Sequence, residues 1–580
     1  MSQHISRRTL LRGAIKSAVG LAIFQQVNAS PIRRFALVSF NTADPDGARF
    51  QPAFARLDEF IAAHLRNVGA PGITLALATR DGLLRTSAYG LADMKAGLKV
   101  QPDTLFEIGS ISKSFVALSL MQLREEGKFD PAKPITTYLP WLKVESKFAP
   151  ITGHHLLSHT AGLPDGVAIG LLDEGQPLWA AYAPGEHFSY SNYGYDLLGL
   201  TLEAIDRQPM AGVIRRRILD PLGMSATEPI ITNNARARMA IGYGPMFDDR
   251  PFPRHGPLAE APWIEVSDGA GSVASTATDM ASYLTMLINR GKAKRGRVIS
   301  EETFARFITP ATRAPFRGED ANYAYGLWVN DVDGHTFLRH TGGMVAFSSA
   351  LHVDLQSGIG AFASVNANLQ GYRPVLVARY ALDLLRATLD EKDLPAMPTM
   401  SPAPDEIQNA NDYAGIFTSS DGKKLTLVVD GAKLLLVHDG KRVALERVGR
   451  DDFIVPHPDF EMFTLDFGRY QNAVVEAFYG ADWFTNDRYS GPKMFSYPPE
   501  WNGYVGHYRN DSAWFGSVRA ILRKGKLTLD GAPLIPLESG VFRAGAEDWS
   551  PERVSFHNVI DGRALHMKLS GVEFYRTGTP

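Results

Sequence analysis

The 580-residue chain contains no cysteine, and that one absence removes disulfide scaffolds, thiolate zinc sites, iron–sulfur clusters and a cysteine nucleophile. Hydroxyl, imidazole, amine and carboxylate chemistry remain. Neither sign of charge is in excess: 60 Lys and Arg stand against 62 Asp and Glu, a formal net charge of -2. Without a long basic run, binding to a phosphate backbone is not the main role, and no nucleic-acid partner is expected. Neither Gly-x-Gly-x-x-Gly nor a phosphate loop occurs, so nucleotide cofactors have no support. No run beyond the first thirty residues reaches the eighteen or more apolar residues of a membrane span, and no transmembrane span is expected in the mature chain.

What is present begins with a leader pattern. Ser6 to Arg12 reads SRRTLLR, an apolar run follows from Ala18 to Phe24, and small residues at Ala29 and Ser30 offer a cut after Ala29. Paired arginines, a run too short to span a bilayer and that cut match a bacterial twin-arginine export signal. The expectation is a periplasmic or secreted protein whose residues 1–29 are removed.

A chain of this length exceeds one compact core. Apolar residues recur at helical spacing from Phe54 to Val68, and Gly69-Ala70-Pro71-Gly72 stops them. ITLALAT (73–79) and LLRTSAYG (83–90) then flank Arg80-Asp81-Gly82 as a hairpin. Strand patterns return at 335–340, 347–354 and 359–366 as an antiparallel meander, and a helix from Pro374 to Asp390 follows. In TATDMASYLTMLINRG, Thr276 and Asp279 stand as N-cap and third helical residue. A proline-rich linker occupies 395–408, between a unit at 30–394 and an all-β remainder. That remainder repeats: Tyr413, Gly415, Phe417, Gly480, Trp483 and Phe484 recur 91 positions on as Tyr504, Gly506, Tyr508, Gly571, Phe574 and Tyr575. Two copies of one barrel-like module are expected, at 409–497 and 498–580.

The chemistry concentrates in three short segments. Ser110 and Lys113 lie three apart at the start of a helix that is apolar nearly all round, so both share a face at its N-terminus. A serine hydroxyl is a poor nucleophile until a neighbouring base takes its proton, and a lysine in an apolar setting has a lowered pKa. Ser-x-x-Lys also occurs at Ser420 to Lys423 and at Ser490 to Lys493, in turn-like sequence that opens no buried helix. Tyr190-Ser191-Asn192 sits in a loop just before another apolar helix pattern, where a second catalytic wall belongs. Arg339-His340-Thr341-Gly342-Gly343 ends a strand with two glycines, which allows close approach of backbone to a ligand.

In order and spacing, Ser110-x-x-Lys113, Tyr190-Ser-Asn192 and His340-Thr341-Gly342 resemble the three-motif set of the serine β-lactamase and penicillin-binding superfamily. LLSHTAGLP (156–164) and GAGSVASTATDM (269–280) resemble stretches that frame its site. The resemblance covers residues 50–390. It implies an α+β catalytic domain, with an antiparallel sheet flanked by helices plus an all-α subdomain, ahead of the two all-β modules. It also implies that Ser110 is acylated, that Lys113 is its proton partner and that Tyr190 is a second general base. Asn192 would hold the substrate amide, and the Ser110 and Gly343 N–H groups would form the oxyanion hole. His340 stands where the pattern has lysine. That removes a fixed positive charge, and Arg339 is placed by strand alternation on the opposite face. His-x-Gly is similar instead to the D-aminopeptidase branch, which also carries two β-barrel domains, and to related esterases and amidases.

The expectation is therefore an exported serine hydrolase acting through an acyl-enzyme on amide bonds of small peptides, as an aminopeptidase or D-residue-preferring peptidase, without metal or cofactor. The site residues are Ser110, Lys113, Tyr190 and His340, with Asn192, Thr341, Gly342 and Gly343 binding substrate. A carboxylesterase or amidase, a D-Ala-D-Ala carboxypeptidase or β-lactamase-like enzyme, and a non-catalytic peptidoglycan-binding relative remain as alternatives, as do D and L preference. His154, His155 and His159 raise a metal cluster, but no acidic fourth ligand accompanies them at a convincing spacing.

Overall fold

The computed structural model describes residues 38–41, 45–166, 178–315, 321–369 and 371–578. The expected export signal lies outside the described residues. The first helix, Gln51–Val68, buries Phe54, Leu57, Phe60, Ile61 and Leu65 on one face and stops at Gly69 in the left-handed region. The hairpin Gly72–Thr79 and Gly82–Asp93 follows as expected from its alternation.

The later meander completes the same sheet. Ile359–Val365 pairs antiparallel with Gly72–Thr79, so the first hairpin and the strands His335–Gly343 and Ser348–Asp354 form one layer although some 250 residues separate them. Strands Ser348–Asp354 and Ile359–Val365 are buried at every position, which requires cover on both faces. Helices Gln51–Val68 and Val375–Leu389 cover one. Helix Ala277–Ile288 covers the other and joins that face to a helical subdomain containing Ser112–Glu125 and Asn192–Asp206. Thr276 caps Ala277–Ile288 by accepting from the Asp279 N–H at 3.1 Å. The Asp279 carboxylate does not reach back to complete a capping box; it accepts from the N–H groups of Ala226 and Thr227 and ties the preceding loop to the helix.

After residue 408 the chain contains β-strands and short helical turns only. Nine strands from Gly415 to Thr485 form a strongly curved sheet, and eight from Gly506 to Arg576 close into a barrel. Both modules start alike, with a buried tyrosine, Tyr413 or Tyr504, two residues before the first strand. At their far ends the repeat slips by one residue: Phe484 and Phe574 point into the two cores while Tyr575 is exposed. In a strand a one-residue shift exchanges faces, so Phe484 is the structural counterpart of Phe574.

Candidate active site

Helix Ser112–Glu125 is preceded by a tight turn, Gly109–Ile111. Every residue from Ser112 to Leu123 is buried, so the helix runs through the interior and presents its N-terminus at the sheet. Ser110 sits half-buried at that end. Lys113 is fully buried, and its Nζ donates to Ser110 Oγ at 3.1 Å, to Asn192 Oδ1 at 2.7 Å and to the Ala270 carbonyl at 2.9 Å. Three acceptors use all three ammonium hydrogens. Burial lowers the lysine to about pH 8, and the carboxyls of Asp196, Asp268 and Asp165 oppose the fall.

Tyr190 completes the group. Its ring centroid lies 4.9 Å from Lys113 Nζ, and its face stacks parallel on Trp328 at 6.0 Å. Burial pushes the phenol well above its usual range, although a hydrogen bond with Ser110 opposes this. The expectation of Tyr190 as a general base therefore meets a phenol held protonated and a lysine of unusually low pKa. His159, in the SHTAGL turn, holds this wall: Nδ1 accepts from the Ser191 N–H at 3.0 Å, and the ring packs 4.2 Å from that of Tyr190. His154 and His155 turn elsewhere, toward Tyr325 and Thr152. Among the described residues, the only compact group of potential metal ligands is His438, His457 and Asp459 in the first β module.

The strand His335–Gly343 supplies the opposite wall. A Cβ on Gly342 would lie 1.9 Å from the Ile108 carbonyl oxygen, so only glycine lets this strand close onto the turn that carries Ser110. Thr341 and Gly343 line the cavity, and the backbone of Gly343 lies against Gly109. His340 is behind this wall. Its Nδ1 meets the Thr341 carbonyl at 2.7 Å, its Nε2 meets the Tyr323 hydroxyl at 3.2 Å, and burial lowers it to about 3. It is a neutral ring that sets the strand end, and it supplies no charge to the cavity. Arg339 is buried near His352, away from the cavity.

The positive charge comes instead from Arg373, whose guanidinium lies against Gly343 and bonds Ser348 Oγ at 3.1 Å and the Tyr372 carbonyl at 2.7 Å. Sequence reasoning did not single it out; its signal is a cation just before the N-terminus of the helix that follows the meander. Asp196 and Asp268 also escaped notice. Both line the cavity, and burial pushes both carboxyls above their usual range, that of Asp196 well above it with the Asp268 charge adding to the rise. A Cβ on Gly269 would meet the Tyr195 carbonyl oxygen at 2.0 Å, so the loop carrying Asp268 sits directly on helix Asn192–Asp206, which carries Asp196.

The cavity holds about 590 Å³. Its rim includes Ala513 and Trp514 from the second β module. The same module anchors the Tyr190 side: Glu552 accepts from the Asp165 N–H at 2.7 Å, Trp179 donates to the Pro551 carbonyl at 2.9 Å, and Trp549 stacks on His187 at 4.8 Å.

The Beta-lactamase family profile matches residues 57–385, more than half of the chain. Among curated proteins, Protein flp of Staphylococcus aureus (strain N315) is 26% identical over 338 residues, which are 56% of this chain and 64% of flp. The chain thus spans just under two thirds of that relative. Protein Rv1367c of Mycobacterium tuberculosis (strain ATCC 25618 / H37Rv) is 29% identical over 280 residues, 42% of this chain and 69% of Rv1367c. Among solved structures, the octameric penicillin-binding protein homologue from Pyrococcus abyssi superposes with a TM-score of 0.54 at 24% identity, covering 75% of this chain and all of that one, which shows a shared fold. With the family profile spanning the domain that holds this cavity, the chain belongs to the beta-lactamase family.

Proposed function

We propose that this protein is a hydrolase that cleaves amide bonds of short peptides through an acyl-enzyme on Ser110, acting outside the cytoplasm as its leader pattern implies. The observation that carries the reading is the buried Lys113 ammonium 3.1 Å from Ser110 Oγ with its pKa lowered to about 8. About one lysine in ten is then neutral at pH 7, enough for it to take the serine proton as Ser110 attacks the carbonyl carbon. The substrate oxygen gathers negative charge beside the N–H groups of Ser110 and Gly343, at the apposition of the Gly109 turn and the strand end. The Tyr190 hydroxyl, held protonated by burial, passes its proton to the leaving amine and is reprotonated by the Lys113 ammonium; Lys113, neutral again, then takes a proton from the water that releases the acyl group. Asn192, fixed by Lys113 and by Asp165 Oδ1 at 2.8 Å, offers its amide to the substrate backbone.

Peptides are favoured over plain esters by the two kinds of charge in one cavity. Asp196, Asp268 and Arg373 all line it. A short peptide carries an ammonium and a carboxylate, which these carboxyls and this guanidinium can pair with. His340 serves as a positioning residue for the strand end.

Assays with L- and D-aminoacyl p-nitroanilides, p-nitrophenyl esters and nitrocefin test this. Amide turnover at kcat/KM at least tenfold above that for nitrocefin, abolished in Ser110→Ala, is expected. Ester turnover alone would favour the esterase reading, and a wild-type protein that neither turns over nor labels with a fluorophosphonate would favour a binding role.

A further inference from the structure

A second, narrower cavity of about 80 Å³ shares Met344, Val345 and Trp514 with the catalytic one. Its walls mix apolar and polar groups, the apolar ones including Ile241, Trp263 and Phe347. Glu107, three residues before the nucleophile, brings a carboxyl into this cavity, and burial alone pushes it up to about 8. Its backbone is spoken for, paired with Ala274 and bonded by Ser364. Among the described residues the carboxyl has no hydrogen-bond or ion-pair partner. Arg236 and Glu260 also line the cavity; the Arg236 guanidinium lies 5.4 Å over the Trp263 ring. A desolvated carboxyl without a partner is destabilising unless something arrives to pair with it.

We propose that this cavity is a side-chain subsite of the catalytic centre, in which Glu107 selects substrates bearing a lysine-like cationic side chain. The proposal rests on the peptide-hydrolase reading above and names the substrate class of that site. A cavity of about 80 Å³ suits a slim unbranched stem better than a branched or aromatic side chain. The terminal ammonium meets the Glu107 carboxyl, which gives up its proton to solvent and forms a charge-assisted hydrogen bond away from bulk water. Trp514 brings the second β module into this selection, because the same indole borders both cavities.

Norleucine matches the lysine stem and lacks only the ammonium, so the pair isolates the carboxyl's contribution. Binding of lysinamide and norleucinamide, in both L and D forms, is measured by tryptophan fluorescence, alongside kcat/KM for the matching p-nitroanilides. In the wild type, the lysyl ligand of the preferred hand is expected to bind at least tenfold more tightly and to react at least tenfold faster. In Glu107→Gln the lysyl-to-norleucyl ratio is expected to fall to near one. A wild-type ratio of one or below overturns the proposal without needing any variant. Fluorophosphonate labelling of Ser110 in the same preparation separates the two ideas. Labelling without lysyl preference sinks the subsite alone, and lysyl preference in binding without labelling sinks the hydrolase reading alone.

Discussion

Two Ser-x-x-Lys segments in this chain share a spacing and differ in everything else. At Ser110–Lys113 the lysine is fully buried at a helix start, bonds the serine at 3.1 Å, and is driven down to about 8. At Ser420–Lys423 the segment is an exposed turn, Lys423 pairs with Asp482 at 3.2 Å, and its pKa is raised. The spacing alone does not distinguish the two. Desolvation is what converts the first amine into a base, since a solvated, ion-paired ammonium holds its proton more firmly.

That contrast can be broken by mutation. Ser110→Ala and Lys113→Met should each lower kcat/KM by roughly 10⁴-fold, the scale of losing a nucleophile or its base, whereas Ser420→Ala and Lys423→Met should stay within about twofold. Loss of activity at the second site would show that the motif acts without burial. A smaller change is expected at the far wall. Arg373→Gln should raise KM about tenfold for substrates with a free carboxylate and leave kcat nearly unchanged, the pattern of lost uniform binding; the check is a pair of substrates with free and amidated C-termini.

The smallest effect concerns stability. Burial lowers His340 and His352 to about 3 and His64 to about 4. A group whose folded pKa is depressed binds fewer protons folded than unfolded, so its contribution is present above about 6.5 and is lost as pH falls toward those values. Thermal melting should therefore drop steadily between pH 6.5 and 4, and His352→Gln, if it folds, should flatten part of the slope. A melting temperature constant over that range would contradict the burial of these rings.

Much of this was legible in the sequence. The three segments that meet at the cavity, the first hairpin, the meander and the doubled β region are local patterns, written in spacing and alternation. What escaped depends on contacts between distant segments. Arg373 reaches the site because its helix packs behind the sheet, and Asp165 meets Glu552 across 387 positions. Glu107 reads as an ordinary strand residue until the 240–264 loop and Trp514 enclose it. The role of His340 also turned on context, because its ring nitrogens find the Thr341 carbonyl and Tyr323 in place of the cavity. The one-residue slip between the β modules was hidden for a different reason: aromatic residues occupy both faces at those strands, and identity alone does not say which points inward.

The most direct test follows the rate of Ser110 acylation against pH, using a fluorophosphonate and intact-mass detection in wild type and Ser110→Ala. A single adduct, absent from the variant and forming at a rate that climbs with a midpoint near pH 8, is the predicted result for a serine activated by Lys113. An adduct on another residue, or a rate flat from pH 6 to 10, would contradict the account.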